Sequence, residues 1–200
     1  MLQDHVMDKL QYFDEKKYEI RSDKVLLLEN KDKGEVELEC VLERDTLVIQ
    51  APDKSVFSYL GENKGDRSCP DCFLYVLEED GAYSLHIMEY KKTINTENIK
   101  KSKIQFIMGI YNARAIAGFL NISIKKIHIY SAFRNDTIGN LSQSDSIVLR
   151  SANIDEKNRS IIRDWRNGIC KLMVDLNETP YTHNKICLDE NGKGTCRLVN

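Results

Sequence analysis

No stretch of this sequence approaches the ~20 consecutive apolar residues that a membrane-spanning helix needs, so no membrane partner is expected. The opening residues, MLQDHVMDKLQYFDEKK, carry acids early and lack an apolar core run, so they do not read as a signal peptide. An intracellular location is therefore the expectation, cytoplasmic, or nuclear in a eukaryotic or viral setting. An excess of basic charge is missing too. The formal net charge is −2, which lowers the case for a non-specific nucleic-acid coat protein. It leaves room for an enzyme that meets phosphates through metal ions and a local basic patch. Internal repeats and linkers are also absent, so one α/β domain over residues 1–200 is the simplest account. In a reducing compartment the six cysteines (Cys40, Cys69, Cys72, Cys170, Cys187 and Cys196) are expected as thiols or metal ligands rather than structural disulfides.

What is present is a globular composition, 42% apolar and 30% charged, on a chain long enough for a real core. Residues 2–16 place Leu2, Val6, Leu10 and Phe13 at helical spacing. VLLLE and EVELECVLERDTLVIQ read as strands around the polar turn NKDKG, with Val36, Leu38, Cys40 and Leu42 alternating with acids. After the glycine-punctuated loop GENKGDRS, CFLYVLEE and YSLHIMEYK read as two strands joined by Asp80-Gly81, a hairpin dipeptide. From Glu97 to Leu120 the period becomes helical. Ile104, Ile107, Met108, Tyr111 and Ala115 form one face, Ile110, Ala113 and Ala117 widen it, and Asn95 or Thr96 is the N-cap. IKKIHIYSAF is a further strand, residues 132–153 are polar and irregular, and a C-terminal helix is expected over about 155–176. The tail beyond it is turn-rich, with room for one short hairpin.

Three motifs compete for the chemistry. Cys69-Pro-Asp-Cys72 has the spacing of a redox pair, but it runs into a strand rather than opening a helix, so nothing lowers a thiol pKa there. The same cysteines have the spacing of half a zinc knuckle, with His183, Cys187 and Cys196 as further ligands, although no four-ligand pattern emerges. Gly109-Ile110-Tyr111 resembles the start of a nuclease signature that belongs on a strand. Here it lies mid-helix and reads as core.

The third motif is Pro70-Asp71 followed by Glu89-Tyr90-Lys91. Side chains alternate on a strand, so Glu89 and Lys91 share a face with Tyr83, Leu85 and Ile87. An acid and a base at the end of an apolar face are costly to desolvate unless they serve each other or a metal. If the strands pair as a hairpin around Asp80-Gly81, Asp71 lies opposite the end carrying Glu89. Two carboxylates brought together repel, and a hard divalent cation relieves that repulsion. A salt bridge at a sheet edge is the plainer account of the same residues.

With its order of elements (Pro-Asp, strand, turn, a second strand ending in Glu-Tyr-Lys, long helix, strand) the sequence resembles the PD-(D/E)XK, or restriction-endonuclease-like, nuclease superfamily. The resemblance covers about residues 55–135. It implies a mixed central sheet flanked by helices, here with a C-terminal helix and short tail. It implies a metal-dependent nuclease acting on DNA or RNA, with Asp71, Glu89 and Lys91 catalytic. Asp71 and Glu89 would bind Mg²⁺ or Mn²⁺, with the Tyr90 backbone carbonyl as a further ligand. One more acid comes from upstream: Glu62, or an acid on the first helix. Lys91 would position the attacking water and stabilise the transition state. Lys100, Lys101 and Lys103 at the start of the long helix would contact phosphates, or form a merely solvated turn. A second copy of the chain is left open as a partner. The alternatives are an inactive nuclease-like module that binds nucleic acid or protein, and a small zinc-containing regulatory protein.

Overall fold

Alternating apolar and polar residues, broken by one long helical segment, fold into two sheets and a layer of helices. The structure, a computed structural model, describes residues 2–31, 34–52, 68–139 and 156–198. In chain order the elements are α1 (Asp4–Leu10), a 3₁₀ turn (Glu15–Lys17), β1 (Glu19–Arg21), β2 (Lys24–Lys31), β3 (Gly34–Val41), β4 (Thr46–Gln50), β5 (Cys72–Leu77), β6 (Tyr83–Ile94), α2 (Thr96–Leu120), β7 (Ile124–Asp136), α3 (Glu156–Arg166), β8 (Ile169–Val174), β9 (Asn177–Cys187) and β10 (Lys193–Arg197). None of the described helices is long and apolar enough to cross a membrane.

The main sheet is mixed and seven-stranded, in the order β1-β4-β5-β6-β7-β9-β8. Neighbours from β1 to β6 are antiparallel, β6, β7 and β9 run parallel, and β8 returns antiparallel to β9. The direction changes follow from the connections. A tight turn at Glu78–Ala82, with Gly81 at φ +80°, can only reverse the chain, whereas β6 and β7 need a crossover, which α2 supplies. A second sheet, β10-β3-β2, lies over the opposite face.

The period of two along β5 and β6 feeds two cores. Phe73, Tyr75, Tyr83, Leu85 and Ile87 pack toward the helices, against Phe106, Ile110, Ala113, Ala117 and Leu120 of α2. Cys72, Leu74, Val76, Met88 and Tyr90 pack the other way, against Val25, Leu27, Leu38 and Cys40 of the small sheet. Asn95 caps α2 by accepting from the Asn98 amide at 2.8 Å.

Four expectations are corrected. The first helix spans only Asp4–Leu10, and a separate 3₁₀ turn follows it. The buried stripe of α2 runs through Ile99, Phe106, Ile110, Ala113, Ala117 and Leu120, while Ile104 and Ala115 are exposed. Nearly every turn of α2 offers an apolar residue on each side, so spacing alone leaves its rotation undetermined. β7 continues to Asp136 instead of ending before a polar loop. The C-terminal helix stops at Arg166 rather than about residue 176, because Gly168 turns the chain at φ +64°. Beyond it Cys170, Leu172 and Val174 are buried with a period of two, and Asp175 and Leu176, both at positive φ, close a hairpin. Residues expected as helix and short tail are instead two strands that widen the main sheet.

Candidate functional site

Asp71 precedes β5 by one residue, and the hairpin register pairs Cys72 with Met88, so Asp71 stands beside the later half of β6. Three hydrogen bonds hold it there. Its amide donates to the Met88 carbonyl at 3.0 Å and its carbonyl accepts from the Ala51 amide at 2.8 Å. Its Oδ2 accepts from the Tyr90 amide at 2.8 Å. In an extended strand the N–H and C=O of one residue point to the same edge, so the Tyr90 carbonyl leaves β6 on the Asp71 side. Asp71, the Tyr90 carbonyl and the Glu89 carboxyl are thus brought to the same end of the β5–β6 hairpin.

Glu89 points to the helix-facing side and is only 2% exposed. Its Oε1 is paired with the Lys91 ammonium. Its Oε2 is buried without a hydrogen-bond partner. Burial first, and the neighbouring Asp71 carboxylate second, push the Glu89 pKa up to about 8, against the opposing pull of Lys91 and Gln105. Lys91 is partly buried, and its Nζ also donates to Gln105 Oε1 at 3.0 Å. Lys92, one residue on, is exposed.

Helix α2 closes the group from above through residues that the apolar periodicity conceals. Gln105 holds Lys91 with its oxygen, and its Nε2 donates to the Cys69 carbonyl at 3.3 Å. One turn later, a Cβ on Gly109 would lie 2.7 Å from the Pro70 ring, so only glycine lets the helix approach this closely. Asn112 Nδ2 donates to the Cys69 Sγ at 3.3 Å. Gln105, Gly109 and Asn112 fall at helical spacing beside the apolar stripe. Their shared face becomes visible only once the rotation of α2 is fixed by its packing.

Other expected residues lie elsewhere. Glu62 falls outside the described residues. An acid on α1 cannot replace it, because α1 sits at the far end of the hairpin, where Gln3 donates to the Gly81 carbonyl at 3.0 Å. Among the described residues no three His, Cys, Asp or Glu side chains gather as a metal cage, so the acids of the group are the pair Asp71 and Glu89. Lys100 pairs with Glu97 at 3.2 Å and Lys101 is exposed. Lys100 and Lys103 line a 460 Å³ cleft with Lys157 of α3 and Lys171 of β8, and that cleft does not include Asp71, Glu89 or Lys91. Cys69 and Cys72 pack into the cores on opposite faces of the sheet, so their sulfurs share neither a zinc ion nor a disulfide. His183 is buried, hydrogen-bonded to Ser131 at 2.9 Å, and Cys187 is exposed.

No family model matches the chain, and no curated protein and no solved structure matches it.

Proposed function

We propose that this chain is a metal-dependent nuclease of the PD-(D/E)XK type, with Asp71, Glu89 and Lys91 as its working residues. The observation that carries this is the state of Glu89: a buried carboxyl with one oxygen unpartnered, held beside a second carboxylate and a lysine. Two ionised carboxylates carry one more negative charge than the Lys91 ammonium offsets, and a divalent cation would supply the difference. Support also comes from the order of elements. Strand β5, the turn, strand β6, the long helix α2 and strand β7 follow one another in the order the resemblance implies, with Asp71 just before β5. Glu89 and Lys91 lie within β6, which runs on to Ile94 instead of ending at Lys91 as expected.

The donor set is all oxygen, from Asp71, Glu89 and the Tyr90 carbonyl, which suits Mg²⁺ or Mn²⁺. Such an ion, when bound, lowers the pKa of a water and offsets charge on phosphate oxygens. The protein's own part is to hold that set rigid. Tyr90 N–H fixes one Asp71 oxygen, and the sheet fixes the Glu89 side chain against α2. Lys91 carries the charge that would face the phosphate. Gln105 keeps its ammonium from swinging away into solvent. Lys100, Lys101 and Lys103 remain proposed phosphate contacts, Lys100 and Lys103 from the separate cleft they line, where they would attract the nucleic-acid backbone without taking part in the chemistry.

Incubation of the purified protein with single- and double-stranded DNA and RNA, in Mn²⁺, Mg²⁺ or EDTA, tests the proposal. Cleavage that needs the divalent ion and disappears in Asp71→Ala and Glu89→Ala is expected. Binding of nucleic acid without cleavage under any of these conditions would instead make the chain an inactive module and overturn the proposed activity.

A further inference from the structure

The cysteines farthest apart in sequence are neighbours in space. β10 runs parallel to β3 with Cys196 in register with Cys40, and their sulfur atoms are 2.9 Å apart. A disulfide requires about 2.05 Å between sulfurs on adjacent, inward-facing side chains, so only a small approach separates this pair from a bond. We propose that Cys40 and Cys196 are a reversible oxidation site whose disulfide fastens β10 to β3. This goes beyond the nuclease proposal and does not depend on it.

The surroundings favour this pair over the other thiols. Cys40 is fully buried, whereas Cys196 is partly exposed and is the sulfur an oxidant reaches first. Cys72 is buried across the interface between the sheets, and its thiol is directed at its own neighbour's carbonyl, Phe73 O, at 3.6 Å. Cys69 lies on the far face of the main sheet and Cys170 is buried beneath α2. Cys187 is exposed. Beyond its five-residue ladder with β3 and the buried Leu198 that follows it, β10 has little side-chain anchorage of its own. Its inward positions are Gly194, against Leu188, and Cys196 itself. Its ion pairs, Lys193–Glu37 and Arg197–Glu43, are solvent-exposed and so weak. A covalent link would therefore be the strongest hold on this strand.

With a hydroperoxide as oxidant the steps balance. The Cys196 thiolate attacks the peroxide, the O–O bond breaks, and sulfenic acid and hydroxide (or alkoxide) result. The Cys40 sulfur then attacks Cys196 Sγ, the S–O bond breaks and the S–S bond forms. The departing hydroxide takes the Cys40 proton and leaves as water. Two electrons pass from the paired sulfurs to the peroxide. A thiol reductant reverses the bond through a mixed disulfide.

The test uses the full, reduced chain, titrated with hydrogen peroxide, alkylated and mapped by non-reducing peptide mass spectrometry. A Cys40–Cys196 cross-link with the loss of two hydrogens should form before any other disulfide. The melting temperature should rise by roughly 5–10 °C and fall back on reduction. Cys196→Ser should abolish both changes, and Cys187→Ser should keep them. Cys196 oxidised to sulfinic acid while Cys40 stays alkylatable after unfolding would overturn the proposal. So would a bridge to another cysteine, or a cross-link that leaves the melting temperature unchanged.

Discussion

Lys91 and Lys92 have the same chemistry, and one peptide bond separates their fates. Lys91 faces α2, with its ammonium between the Glu89 carboxyl and the Gln105 amide, whereas Lys92 projects from the other face into solvent. An ammonium held by two acceptors can be aimed at a reacting phosphate. A solvated one contributes only diffuse attraction, screened by salt. Lys91→Ala should therefore lower single-turnover cleavage by about 10²-fold or more at saturating Mn²⁺, the usual loss for a transition-state charge contact, with folding nearly unchanged. Lys92→Ala should cost little beyond substrate affinity. Equal losses would reduce the pair to a basic patch, and a larger loss at Lys92 would mean that the register assigned to β6 is wrong. The difference between the two lysines is legible in the sequence, because alternation on a strand is a strict period of two. Gln105 is not legible there. A polar residue on a helix acquires a direction only once the helix has a rotation, and α2 has apolar residues on too many sides to declare one.

For α2 as an element, the decisive residue is a glycine that supplies no contact of its own. Gly109 lets the helix backbone press against Pro70, and so fixes the distance between Gln105 and Lys91 on β6. Gly118, on the same helix, has nothing within 4 Å of where a Cβ would stand. The two alanine substitutions should therefore move stability in opposite directions. Gly118→Ala should stabilise by about 0.5–1 kcal/mol through helix propensity, without touching activity. Gly109→Ala should destabilise by about 1–3 kcal/mol by forcing the helix off Pro70, and should depress cleavage more than stability alone explains. Urea unfolding of both variants checks the signs, and two stabilised proteins would remove Gly109 from the site. The elements that the sequence announces are those with unambiguous periods: the β5–β6 hairpin, the capped start of α2 and the strand β7. The hairpin of β8 and β9 escapes because Ile169 and Leu172 satisfy a helical spacing while Cys170, Leu172 and Val174 satisfy a strand. Gly168 decides between them. The pairing of β9 with β7 is a tertiary fact with no local signature.

Across the whole molecule, buried titratable groups on both faces of the main sheet set opposite pH limits. His86 is enclosed with Tyr130 and stacked on His128, and burial pushes its pKa down to about 3. His183, wedged between Phe106 and Trp165 and bonded to Ser131, is likewise pushed down to about 3 by burial and then by Lys185 and Lys103. A histidine whose folded pKa lies below its unfolded value of about 6.5 keeps the fold at full stability above that value. Unfolding then takes up protons as pH falls from 6.5 toward 3, so stability is lost in that direction. Two such groups should lower the unfolding free energy by on the order of 2–3 kcal/mol between pH 6.5 and pH 5. Glu89 acts with the other sign. Its folded pKa is raised to about 8 above an unfolded value near 4.5, so the folded chain holds a proton that the unfolded chain releases, and stability falls as pH rises through that window. Urea unfolding across pH should accordingly show a maximum near pH 6.5, where the two effects balance, with an acid limb from the histidines and an alkaline limb from Glu89. His86→Asn combined with His183→Gln should flatten the acid limb whatever it does to absolute stability. Glu89→Gln, which keeps an oxygen for Lys91, should flatten the alkaline limb alone. Saturating Mn²⁺ should do the same to the wild-type protein at pH 7–8, because a cation favours the ionised carboxyl. An alkaline limb that survives Glu89→Gln belongs to another group. One that responds to the substitution but not to Mn²⁺ separates a buried acid from a metal ligand.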